Sequence, residues 1–297
     1  MKPVRPLVFA LAVLSLSRIH GAQFRTTTEL VSVYATVQDP ATRLVPDLTK
    51  DDFSITDNGK AQPITFFSND IAPFSVVVML DRSGSLLNHQ IVIRDAAMAF
   101  VVRLLPDDQA RIGSFGDRPG NTVLISPPAF TATKDDLVEV LQKPVGMGGN
   151  SPVWYSIDQS ISALTTQTGR RVVVIFTDGH NEPLPAPVPV KVQDVLERVR
   201  RANVMVYALA FTDDRRRRPD PSLRKLADDS GGGYFEVTDA EHLGPLFTRV
   251  AEELHRQYWL GFVPPLHDGK THRIEVTVTR PGLTVRARQT YIAPLKQ

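Results

Sequence analysis

The chain has 297 residues, 42% hydrophobic and 22% charged, which is enough apolar side chain for a substantial core and too little charge for a disordered chain. Its 34 Lys and Arg against 32 Asp and Glu leave a formal charge of +2, so there is no general electrostatic drive toward nucleic acid or anionic lipid. The chain has no cysteine, which excludes disulfides, cysteine nucleophiles and a cysteine-linked lipid anchor. Any metal must be held by oxygen or imidazole.

In chain order, Lys2 and Arg5 precede an apolar run from Leu7 to Leu16, the charged and hydrophobic regions of a secretory signal peptide. Residues 1–22 are read as that signal, cut after Ala22, so the protein is expected to be exported, to the periplasm or beyond. The run is too short for a membrane span, and no second run long enough to anchor the chain follows.

Val31, Val33, Ala35 and Val37 alternate with Ser32, Tyr34 and Thr36, the period of a half-buried strand. Further strands are predicted over 53–56 and 64–67, around the turn Asp57-Asn58-Gly59. From Pro73 the rhythm changes. The run Val76 to Leu80 reads as a strand covered on both faces, as in a parallel sheet. A helix is predicted over 86–105, strands over 111–115 and 122–125, and a helix opened by Thr133 with Asp136 three residues on. A helix over 152–165, a strand over 172–176, a helix over 192–201, a strand over 204–211, a short helix over 223–227 and a strand over 234–237 follow. A last helix opens on the capping-box spacing of Thr238 and Glu241, with Leu243, Leu246, Phe247, Val250 and Leu254 as its apolar stripe. Strands alternating with helices predict a doubly wound α/β domain with a mostly parallel sheet.

In the tail, Ile274, Val276 and Val278 alternate with polar residues before the turn Pro281-Gly282 and a further strand region through Val285, Ala287 and Tyr291. The few strands at either end bury too little to fold alone. Residues 23–72 and 258–297 are therefore expected to form one small β-sandwich-like domain, with the α/β domain, 73–257, inserted between them. Tyr258 and Trp259 are expected to seat the junction, as amphipathic rings do at interfaces.

Asp81-Arg82-Ser83-Gly84-Ser85 and Thr177-Asp178-Gly179 each end a buried strand, and in an open parallel sheet such loops converge on one crevice. Gly148-Gly149-Asn150-Ser151-Pro152 brings a third hydroxyl to the same edge. Two carboxylates and three hydroxyls form an all-oxygen set that suits a hard divalent cation, Mg2+ first, with Mn2+ and Ca2+ as alternatives.

With these motifs the chain resembles a von Willebrand factor type A domain carrying a metal-ion-dependent adhesion site. The D-x-S-x-S motif of that family is matched by Asp81, Ser83 and Ser85, its later threonine by Ser151, and its T-D-G motif by Asp178. Ser151 keeps the hydroxyl but lacks the methyl that stiffens threonine. The flanks look like a bacterial group of secreted, type A-related proteins, through the run from Val45 to Phe53 and the closing Val285-Arg286-Ala287-Arg288. The resemblance implies a Rossmann-like fold and a non-enzymatic protein-binding module for adhesion or envelope assembly. It further implies that Ser83 and Ser85 bind the cation directly, that Ser151 does so in the liganded state, and that Asp81 and Asp178 act largely through water. Neutral inner ligands leave the cation's charge poorly quenched, so the expected partner is a protein offering an Asp or Glu carboxylate.

These residues also admit other readings. Asp81 and Asp178 alone would suit helix caps. A metal-dependent phosphohydrolase in the same crevice is a second reading, but a phosphoaspartate enzyme wants a carboxylate where Ser83 stands. A structural envelope protein with an empty site is a third. His180 beside Asp178, and the run Arg215 to Arg218, read as solvated loop residues. Gly113-Ser114-Phe115-Gly116 lacks the spacing of a nucleophile elbow.

Overall fold

The computed structural model describes residues 30–118, 121–144, 146, 148–182, 190–212 and 218–295. The signal segment, its cleavage site and Arg215 to Arg217 lie outside them. The described elements run β1 (Val31–Gln38), β2 (Phe53–Asp57), β3 (Lys60–Gln62), β4 (Phe66–Ser68), β5 (Phe74–Asp81), α1 (Gln90–Val102), β6 (Gln109–Arg118), β7 (Asn121–Thr131), α2 (Lys134–Gln142) and α3 (Val153–Leu164). They continue with β8 (Arg170–Thr177), α4 (Val192–Ala202), β9 (Val204–Phe211), α5 (Pro221–Ser230), β10 (Tyr234–Val237), α6 (Leu243–His255), β11 (Tyr258–Phe262), β12 (Thr271–Val278), β13 (Thr284–Ala287) and β14 (Thr290–Ile292).

Six strands form the central sheet in the order β10-β9-β8-β5-β6-β7, parallel except for the edge strand β7. The apolar runs of β5, β8 and β9 occupy its middle, where both faces are covered. Val76, Val78 and Leu80 face a cluster completed by α1 and α6, while Val77 and Met79 face one completed by α3, α4 and α5. This is the doubly wound α/β fold that the alternation predicts.

Local departures have local causes. The predicted helix over 86–105 begins as a 3-10 turn, Gly84–His89, and becomes α-helical only at Gln90. Gln90 fixes the change by donating to the carbonyls of Asp81 and Leu86, which holds the loop bent so that Ser83 and Ser85 stay at the strand end. Thr133 stands at the N-cap of α2, as predicted, but its side chain makes no cap hydrogen bond; Thr131 Oγ1 accepts the Thr133 N–H and donates to Asp136. At the last helix Asp239, not Thr238, caps a 3-10 turn by accepting from Glu241 N, because an ionised carboxylate is the stronger acceptor. Strand β7 continues beyond the predicted 122–125, through Pro127 and Pro128, to Thr131. It can do so as an edge strand with a register shift, where missing N–H groups are tolerated, and Arg111 donates to the carbonyls of Ile125 and Pro127 at 2.7 and 2.6 Å.

Two four-stranded sheets, β13-β1-β11-β4 and β14-β12-β2-β3, draw strands from both ends of the chain. Val33 lies opposite Leu260, and Ile55 opposite Val276. Their facing side chains share one apolar cluster, which includes Val33, Phe53, Leu260 and Ile274. Tyr258 sits inside this cluster rather than at the junction: its hydroxyl donates to Val45 O at 2.6 Å and accepts from Leu48 N at 3.0 Å. Trp259 stacks on Tyr34, whose ring lies 4.7 Å from the Arg170 guanidinium.

Beside the Tyr34 ring, which packs against the α/β core, buried polar groups join the terminal sheets to the α/β unit. Glu253 of α6 has no exposed surface. It accepts from Gln38, Arg249 and Arg286, with the Tyr207 hydroxyl 3.4 Å away. Gln257 donates to Thr36 and Tyr207 and accepts from Arg170.

Candidate metal centre

The carboxyl ends of β5 and β8 meet at one crevice, as the parallel sheet requires. Asp81, the last residue of β5, has no exposed surface. Its Oδ1 accepts from Ser83 N at 2.9 Å, and its Oδ2 accepts from the hydroxyls of Ser151 and Thr177 at 2.9 and 2.7 Å. Ser83 Oγ and Ser85 Oγ are 3.2 Å apart, and Ser85 donates to Asp178 Oδ2 at 2.6 Å. The five residues singled out in the sequence thus converge in one hydrogen-bonded cluster, and Ser85 is its exposed member. Burial pushes the Asp81 carboxyl up to about 6; hydrogen bonds from Ser83 and Thr177 oppose the shift and the nearby charge of Asp178 adds to it.

The loops are stitched to each other through the backbone. Arg82 N donates to Phe115 O at 2.8 Å, Gly148 N to Arg82 O at 3.1 Å and Gly149 N to Gly116 O at 2.8 Å. Gly116 has φ +75°, and a Cβ there would lie 2.7 Å from Ser83 N and 3.0 Å from Asn150 O. No side chain fits without moving the loop that carries Ser83. Gly179, at φ +79°, is similarly closed against Pro219.

Residues 75–249 match the model of the von Willebrand factor type A domain. The chain belongs to that family. Its fold is similar to a solved von Willebrand factor type A protein from Catenulispora acidiphila, at 12% identity and a TM-score of 0.53, covering 91% of this chain and 76% of that one. It is also similar to proximal thread matrix protein 1 from the mussel byssus, at 14% identity and a TM-score of 0.51, covering 75% and 50% respectively. The PilB minor pilin from Streptococcus sanguinis matches at 12% identity and a TM-score of 0.50, covering 66% and 64%. These likenesses concern the fold. No curated protein sequence matches. Type A domains are generally interaction modules rather than enzymes.

The donor chemistry of this type A domain fits a small hard cation. Ser151 and Ser85 each give their single proton to a carboxylate, which leaves hydroxyl lone pairs free as neutral ligands. The 3.2 Å between Ser83 Oγ and Ser85 Oγ is close to the edge of an octahedron with ~2.1 Å metal–oxygen bonds, about 3.0 Å. Among the described residues no group of three or more His, Cys, Asp or Glu stands ready to hold a metal ion. Any cation site here relies on hydroxyls.

Two residues of the cluster were missed by the sequence reading as site members. Thr177 is fully buried and donates to Asp81 while accepting from Gly179 N at 3.0 Å; its place in the T-D-G motif was the available signal. Gly116 was weighed only for a hydrolase elbow, and nothing in its local sequence announces the approach to Ser83. His180, expected to be solvated, is half-buried: its N–H donates to Asp178 Oδ1 at 3.0 Å, and its ring Nδ1 is buried 3.5 Å from the same oxygen.

Proposed function

We propose that this type A domain is an exported, Mg2+-dependent protein-binding module that recognises an Asp or Glu side chain of a partner, in adhesion or envelope assembly. The observation that carries this reading is the convergence of Asp81, Ser83, Ser85, Ser151 and Asp178 in one crevice, with the hydroxyl protons of Ser85 and Ser151 directed toward carboxylates and Ser83 Oγ beside Ser85 Oγ. Ser83, Ser85 and Ser151 would hold the cation as neutral ligands, with Asp81 and Asp178 orienting the hydroxyls and binding through water. When bound, the cation supplies a centre that attracts one more anionic oxygen. A binding role suits Asp81 better than proton transfer does, because both of its oxygens already accept hydrogen bonds in a buried place. The export element rests on Lys2, Arg5 and the run from Leu7 to Leu16.

The test is titration calorimetry of the purified protein with Mg2+, followed by partner capture from envelope extracts with Mg2+ or with chelator. Asp81→Ala is expected to abolish both signals and Ser83→Ala to weaken both. Metal and partner must each tighten the other by the same factor. Unchanged capture by a folded Asp81→Ala variant would leave the reading without support.

A further inference from the structure

At the end of the sheet remote from the crevice, about 20 Å along β8, lies a second polar region. Three adjoining hollows share Arg288 and Asn203 in their walls. The largest, about 450 Å³, is walled on one side by Arg200 and Arg201 near the end of α4, and on the other by Leu30 and Tyr291 of the terminal sheets. Arg171, at the start of β8, lines one of the two small hollows beside it, of about 20 Å³.

The charges here do not balance. Arg200 pairs with Asp229 at 3.0 Å, which Lys225 also shares, and Arg201 pairs with Glu197. Arg288 donates from Nε to Thr290 O at 2.9 Å and from Nη1 to Asn203 Oδ1. Among the described residues neither Arg288 nor Arg171 has a carboxylate partner, and Arg171 Nε, Arg200 Nε and Thr290 Oγ1 are buried without a hydrogen bond. Burial lowers the Arg171 pKa and holds that of Arg288 down to about 10. The carbonyl end of α4 gives Arg200 and Arg201 a structural role. It gives none to Arg171 on β8, nor to the remaining donors of Arg288. Half-buried cations and orphaned donors around an open hollow cost free energy that an external acceptor would offset.

We propose that the largest hollow binds a tetrahedral oxyanion, the phosphate or sulfate group of a ligand, through Arg288 and Arg200 in its wall, with Arg171 adding its charge from the adjoining hollow that Arg288 also lines. A multivalent anion with several oxygens matches separate guanidinium donors better than a single carboxylate does.

The test is thermal unfolding of the full chain in chelator at constant ionic strength, with inorganic phosphate, sulfate or acetate. Phosphate or sulfate at ten times its Kd is expected to raise Tm by about 3 °C and acetate not at all; whichever of the two acts identifies the group. Arg288→Gln and Arg171→Gln are each expected to weaken binding about tenfold. Among the described residues the Arg171 guanidinium has no hydrogen-bond partner, so its variant is expected to leave the fold undisturbed. Asp81→Ala is expected to keep the full shift, which separates this site from the metal crevice. A shift equal to that of acetate, one retained by both arginine variants, or one lost in Asp81→Ala would overturn the proposal.

Discussion

Asp81 carries the highest demand of any residue in the crevice, because a carboxylate is held there without exposure. Its folded pKa, about 6, lies above the ordinary 3.8, so the native state binds more protons than the unfolded chain between about pH 4 and 6. The contribution of this group to metal-free stability is present below pH 4 and is lost as pH rises through 6. A cation needs the ionised form. The Tm increase caused by Mg2+ is therefore expected to be full at about pH 7.5 and to fade below about pH 6, and scanning calorimetry across that range measures it. An equal increase at pH 5 would mean that Asp81 does not serve the cation. At Gly116 the constraint is steric. Alanine there adds a left-handed backbone penalty to a clash with Ser83 N, together about 2–4 kcal/mol, and Mg2+ affinity should fall with it. Urea unfolding and metal titration of Gly116→Ala read both effects. Asp81, Ser83, Ser85, Ser151 and Asp178 were legible in sequence because their motifs end buried strands. Gly116 was not, since its partners lie 33 residues before it and 34 after, counting Ser83 and Asn150, and only the folded loops bring them together.

Elements were legible where period and burial agree. Strand β9 and the Val76 to Leu80 run of β5 are apolar throughout and buried throughout, so pattern and environment carry the same signal. Caps were less legible: Thr133 and Thr238 have suitable spacing, but Thr131 and Asp239 offer competing acceptors nearby. The contacts of α6 were the least legible. Its apolar stripe, Leu243 to Leu254, predicts the face against the central sheet, whereas nothing in the pattern marks Glu253 as buried, and it has no exposed surface. It links α6 to β1 through Gln38 and to β13 through Arg286. Glu253→Ala would leave the Arg286 guanidinium without its carboxylate, and a loss of about 3–5 kcal/mol is expected. Arg286→Ala in that background should cost much less than in the wild type, because no ion pair remains to break. A double-mutant cycle by urea denaturation measures the coupling, and additive losses would show that the pair does not fix α6 against the terminal sheets.

At the scale of the whole molecule, the terminal sheets raise the question of what counts as one folding unit. The α/β unit begins at β5 and ends with α6, and Phe74 and His255 at these two ends lie with ring centroids 5.2 Å apart. An insertion needs this geometry, since both connections must leave the host domain at nearly the same place. We propose that 23–72 and 258–297 form one β domain interrupted by the type A domain, 73–257. Every strand of the opening segment except β3 pairs with a strand from the tail: β1 with β11 and β13, β2 with β12, and β4 with β11. Deleting residues 258–297 strips β1 of both neighbours and exposes one edge each of β2 and β4. It also removes Leu260, Phe262 and Ile274 from their shared core. What remains is too small to stand alone. The central sheet loses no strand. In the truncated protein, limited proteolysis is therefore expected to digest the chain up to about residue 72 and to spare the α/β unit, while the full chain resists at both places. Equal protection of the opening segment in the two proteins would show that it folds without the tail, and the division into an interrupted β domain and an inserted one would fall.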